Sequence, residues 1–133
     1  MRATAKRRKG HLHDVEVDGH HVVVDEPLDS GGTNAAPSPT RLLATALASC
    51  TAITIGMYAD RKEWDIEGLE VDVDFEGTPK SGETAKFAIN LQLPEGLDEE
   101  QTDRIKTIAA KCPVHRTLVG DVEIEIRDEV VAA

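Results

Sequence analysis

Residues Pro39–Trp64, PTRLLATALASCTAITIGMYADRKEW, form the stretch that decides the fold. Pro39 suits a first helical position, where its missing N–H would have no partner anyway, and Ser38 before it is a ready N-cap. Leu42, Leu43, Ala46, Leu47, Cys50, Ile53, Ile55 and Met57 then spread over most of the helix circumference. No polar face opens until Asp60-Arg61-Lys62-Glu63, so the helix is expected to be buried on nearly all sides. From Pro39 to about Arg61 it runs about 34 Å at 1.5 Å per residue. A single chain of 133 residues has little left to cover such a rod, which predicts a homodimer that shares its core. The same run raises the question of a membrane span. Thr45, Ser49, Thr51 and Thr54 interrupt it and it is barely long enough, which favours a core helix.

Upstream, His11–Val17 and His20–Asp25 are β-rich segments joined by Asp18-Gly19, a strong hairpin signal. Glu26–Pro39 carries Pro27, Gly31, Gly32, Asn34, Pro37 and Ser38 and reads as a loop. Downstream, Leu69, Val71, Val73 and Phe75 alternate with acidic residues, and Phe87, Ile89, Leu91 and Leu93 alternate in the same way across the turn 77–82. Both read as antiparallel strands with one face on a core. Asp98 and Gln101 form a capping box for a helix with Ile105, Ile108 and Ala109 as its apolar stripe. Pro113 is expected to stop that helix just after Cys112. Val114–Val119 reads as a turn or short helical piece, and Val122, Ile124 and Ile126 alternate as a last strand. The predicted order is ββ–α–ββ–α–β, a single α+β domain over residues 1–133.

Composition narrows the function. Apolar residues make up 40%, enough for a core, but aromatics only 3%, so that core is aliphatic. A net charge of −10 repels phosphate backbones and anionic headgroups, which excludes nucleic acid and membrane surfaces as expected partners. The basic start MRATAKRRKG reads as a solvated edge or a first strand; no apolar segment and cleavage site follow it, so a cytoplasmic location is expected.

In that compartment two cysteines are free thiols, metal ligands or redox groups more often than a structural bridge. Cys50 lies mid-helix, and Cys112 stands 62 residues later beside Pro113. Either thiol alone reads as a small buried hydrophobe; two are also the minimum for one thiol that attacks and one that resolves. Cys112-x-x-His115, with Cys50 and His20 or His21, sketches a zinc site, but the paired half that usually accompanies such spacing is missing. No metal or cofactor is expected, and His11, His13, His20 and His21 are read as strand residues facing water.

Three motifs occur in order: DEPLDSGG at Asp25–Gly32, PSPTRLLATALASC at Pro37–Cys50, and AAKCPVHRTL from Ala109. Together they resemble the OsmC/Ohr family over roughly residues 20–127. The resemblance implies an OsmC-like fold, with curved antiparallel sheets around long buried central helices in an intertwined homodimer. It implies a stress-response thiol peroxidase that reduces organic hydroperoxides, with Cys50 peroxidatic and Cys112 resolving. An external dithiol or a lipoyl-bearing protein would be the reductant. Such a site needs a cation to hold the buried thiolate. The resemblance implies an Arg from the N-terminal region, steadied by a Glu at the start of the central helix. Here Thr40 and Arg41 follow Ser38-Pro39, and no Glu stands there. The candidate cations are Arg7, Arg8 and Arg41, the last oriented by Asp25 or Glu26. Pro27, Pro39, Leu43 and Leu47 are expected to line an apolar substrate pocket. The rival reading is a non-catalytic dimer of the same fold that binds a small apolar or electrophilic ligand.

Overall fold

The structure, a computed structural model, describes residues 1–132. The chain runs β1 (Ala3–Lys9), β2 (Leu12–Val17), β3 (His20–Val24), α1 (Pro39–Lys62), β4 (Glu70–Phe75), β5 (Phe87–Gln92), α2 (Glu99–Ala109) and α3 (Pro113–Val119). The basic N-terminus is a strand, exposed along its whole length. β1, β2 and β3 form an antiparallel sheet in that order, with Ala5 opposite Val15 and Val15 opposite Val22. Asp18 and Gly19 close the β2–β3 hairpin with φ of 46° and 83°, the two positive angles that a type I′ turn requires.

β4 and β5 form a second antiparallel sheet. Val71 faces Leu91, Val73 faces Ile89 and Phe75 faces Phe87, the last pair stacked at 4.2 Å between ring centroids. These half-buried residues share one face. On the exposed face, Asn90 donates to Asp74 and Gln92 to Asp72, both diagonally across the ladder.

The ends of α1 are built as expected. Ser38 Oγ accepts from the Arg41 N–H, Pro39 occupies the first turn, and Glu63 ends the helix in the left-handed region at φ 56°. Only one stripe is buried within the single chain: Leu47, Thr51, Ile55 and Ala59, four residues apart. Ile53 and Met57 stay 57% and 63% exposed. The expectation of burial on nearly all sides is therefore corrected for one chain, because α2, α3 and β4 pack on a single side of the rod. By length and composition alone α1 could cross a membrane; its buried stripe instead builds the core. Ile55, Ile105 and Ala109 form its centre, with Trp64, Ile66, Leu69, Leu91, Leu93 and Leu97 packed around them. Asp98 and Gln101 form the expected capping box on α2. Arg104 Nε donates to the Tyr58 hydroxyl at 3.0 Å and ties α2 to the end of α1.

Two further expectations fail. No strand forms at Val122–Arg127, and Ile124 and Ile126 are 85% and 92% exposed. Alternation describes a strand that needs an edge to pair with and a core to face; among the described residues no edge takes this one. Pro113 does not stop α2, which has already ended at Ala109, but opens α3 as its first residue. The observed order is βββ–α–ββ–α–α. The loop 26–38 also holds a short 3-10 turn at Leu28–Ser30.

Candidate active site

That loop is organised by Asp25, a buried carboxylate at the end of β3. Its Oδ1 accepts from the Glu26 N–H, and its Oδ2 accepts from the Thr33 N–H, the Thr33 hydroxyl and the Ala35 N–H. The Thr33 hydroxyl bond, against the opposing effect of burial and with the three backbone donors, holds its pKa down to about 2. The Asp25 N–H in turn donates to the Pro37 carbonyl, which fixes β3 against the start of α1. Gly32 completes the knot, since a Cβ there would lie 1.9 Å from the Glu26 carbonyl oxygen. Asp25 is thus a structural hub and does not orient Arg41. Asp25→Asn turns one acceptor into a donor facing N–H groups and is expected to lower the melting temperature. Because the folded pKa is depressed, the deficit should be full above about pH 5 and should close as the pH falls through about 2, read by melts across that range.

Cys50 is half-buried on α1 and Cys112 fully buried; both are free thiols. Cys112 caps α3, its backbone extended at φ −57° and ψ 134°, and its Sγ accepts from the His115 N–H at 3.4 Å. α1 and α3 pack together, and each thiol is among the groups that shift the pKa of the other. Burial pushes the Cys50 pKa up, but bonds from the Cys112 thiol, the Val114 N–H and the Thr54 hydroxyl outweigh it, so the net shift is downward. For Cys112, burial and the donated bond both push the pKa up. The pair is therefore asymmetric: the Cys50 pKa is shifted down, which favours its thiolate, and the Cys112 pKa is shifted up.

None of the three candidate arginines is among the groups that set the Cys50 thiol. Arg41 lies nine residues before Cys50, about 13 Å along the helix, and its Nη1 donates back to Ser38 Oγ at 2.9 Å. Arg8 pairs with Asp14, which also holds His21, and Arg7 is exposed on β1. His20 and His21 sit on that same N-terminal sheet, and among the described residues no cluster of three or more His, Cys, Asp or Glu has metal-binding geometry.

The expected apolar lining divides in two. Leu43 and Leu47 lie in a groove of about 870 Å³ between α1, the β4–β5 sheet and α3, with Phe75, Phe87, His115 and Leu118. Pro39 lines a separate cavity of about 510 Å³ against β2 and β3, with His11 and His13; Pro27 lines neither. His13 is accordingly half-buried rather than facing water, its Nδ1 2.7 Å from the His11 carbonyl. Sequence reasoning gave His115 no chemistry beyond a discounted metal site. The signal was its position three residues after Cys112, where a short helix capped by that cysteine turns it into the groove.

Comparisons with known proteins agree with this architecture. The structure resembles a Psychrobacter arcticus 273-4 protein named for osmotic stress induction and detoxification response, at TM-score 0.71 and 26% identity, covering 86% of this chain and 85% of that one. It resembles an OsmC-like protein from Mycoplasma pneumoniae at TM-score 0.74 and 21% identity, over 90% and 86% of the two chains. An organic hydroperoxide resistance protein OsmC from Legionella pneumophila matches at TM-score 0.66 and 23% identity, over 90% of each. Among curated protein sequences none matches. The sequence profile of OsmC-like proteins matches residues 31–127. That span holds α1, both thiols, the β4–β5 sheet and most of the loop that Asp25 ties, and on it the chain belongs to the OsmC-like protein family.

Proposed function

We propose that the chain is a thiol peroxidase that reduces organic hydroperoxides to alcohols, as part of an antioxidant stress response. The asymmetric pair of Cys50 and Cys112, on helices α1 and α3 that pack together, carries this reading, and the organic hydroperoxide resistance proteins among its structural relatives agree with it. The Cys50 thiolate attacks the distal oxygen of the peroxide, the O–O bond breaks, and the alcohol leaves with a proton. Cys50 is left as a sulfenic acid. Cys112 then attacks that sulfur, water leaves, and a Cys50–Cys112 disulfide forms. The two thiols hold one electron pair between them, so an external dithiol or a lipoyl-bearing protein restores them. The groove walled by Leu43, Leu47, Phe75 and Phe87 suits an alkyl or aryl peroxide better than hydrogen peroxide. The working unit is a cytoplasmic homodimer, whose second copy covers the apolar side of α1 at Ile53 and Met57.

One observation favours the non-catalytic reading: among the described residues no arginine acts on the Cys50 thiol. Mass spectrometry separates the two. Reduced protein given one equivalent of cumene hydroperoxide is expected to form an intramolecular Cys50–Cys112 disulfide, two hydrogens lighter, within seconds. Thiols that stay reduced for many minutes would overturn the peroxidase and leave a ligand-binding scaffold.

A further inference from the structure

We infer that the His115 imidazole is the proton donor to the departing alcohol, a catalytic residue of the peroxidase proposed above, on which this inference rests. His115 belongs to the cysteine site through its backbone and to the groove through its ring. Its N–H holds Cys112 Sγ, and the residue lines the groove together with Leu43 and Leu47, a groove that neither cysteine itself lines. The ring's Nδ1 is buried without a hydrogen-bond partner. A buried polar atom with no partner is costly and rare, and here it belongs to a residue that lines a largely apolar groove. A peroxide entering that groove brings polar oxygens for the imidazole to meet.

The chemistry needs such a group. When the Cys50 thiolate takes the distal oxygen as S–OH, the O–O electron pair goes to the proximal oxygen, and an alkoxide is a poor leaving group unless it is protonated as it departs. Thr54 and Cys112 act on Cys50 itself, where they lower its pKa. Thr51 Oγ1 is buried on the core stripe. Asp74, Glu76 and Lys86 line the same groove from the β4–β5 side, but Asp74 accepts from Asn90, and all three are exposed. Histidine is the side chain that both carries and releases a proton near neutral pH. After donating, neutral His115 can take the Cys112 thiol proton and pass it to the hydroxide that leaves the sulfenic acid, so the cycle closes with alcohol, water and a disulfide.

The test varies the leaving group. Wild type and His115→Gln are given tert-butyl hydroperoxide, whose alkoxide needs a proton, and peroxybenzoic acid, whose benzoate does not. Positioned general acids contribute on the order of 10²-fold or more. Rates of Cys50 oxidation should therefore shift in His115→Gln by on the order of 10²-fold in favour of the peracid. Loss by the same factor with both oxidants, or with neither, overturns the role of His115 while the peroxidase reading stands. A wild type inert to both overturns both. Iodoacetamide labelling of Cys50 reports whether the thiolate survives the change. If His115→Gln fails to fold, His115→Asn, whose amide occupies the Nδ1 position, carries the same comparison.

Discussion

Cys50→Ser is expected to reduce hydroperoxide turnover to the uncatalysed background, with Cys112 left reduced. A serine hydroxyl in the same place stays protonated at neutral pH and cannot attack an O–O bond. Cys112→Ser should behave differently: Cys50 is oxidised once, the sulfenic acid is trapped by dimedone, and no disulfide follows. The pair of variants also tests the electrostatics. Serine at 112 keeps an O–H that can donate to Cys50, whereas Cys112→Ala removes the donor that opposes the burial of Cys50. Iodoacetamide alkylation of Cys50 at pH 7 is therefore expected to be several-fold slower in Cys112→Ala than in Cys112→Ser. Because the folded pKa of Cys50 lies below that of an ordinary thiol, its alkylation rate should level off at lower pH in wild type than in Cys112→Ala. Equal rates in the two variants would mean that Cys112 does not hold the thiolate.

Much of this site was legible because its determinants are local. Ser38-Pro39 starts a helix wherever it stands, Asp98 with Gln101 starts another, and the alternation at β4 and β5 faces a core whatever lies beyond it. The three motifs put Cys50 on the long helix and Cys112 beside Pro113, and the structure packs α1 against α3, whose N-cap is Cys112. The errors share a different cause. Pro113 is equally suited to follow a helix and to begin one, and only the end of α2 at Ala109 decides between the two. Val122–Arg127 has strand periodicity, but periodicity does not supply an edge. Arg41 was a reasonable cation by charge, yet its side chain folds back onto the Ser38 cap, a choice made by three-dimensional packing. Asp25 belonged to a recognised motif, but its role as acceptor for four donors depends on how residues 26–35 curl around it. His115 was visible as a residue and not as a site, because a groove wall is made by elements far apart in the chain.

Ile55→Ala is expected to cost about 2–5 kcal/mol of stability, the range for truncating a buried aliphatic side chain that leaves a cavity. Ile55 is 0% exposed at the centre of the core, where it packs from α1 with Ile105 and Ala109 of α2. Ile53→Ala on the same helix removes the same atoms from a side chain that is 57% exposed. In a lone chain that change should stay within about 0.5 kcal/mol, as surface substitutions usually do. The comparison separates the fold of the chain from its assembly. Urea denaturation of both variants at several protein concentrations is the measurement. If a second copy covers Ile53 and Met57, the Ile53→Ala deficit should grow with concentration as the dimer populates, since association stabilises by mass action. The Ile55→Ala deficit should be present at every concentration. An Ile53→Ala deficit that stays small at all concentrations would place the exposed side of α1 in solvent, and the shared core of the proposed homodimer would have to be given up.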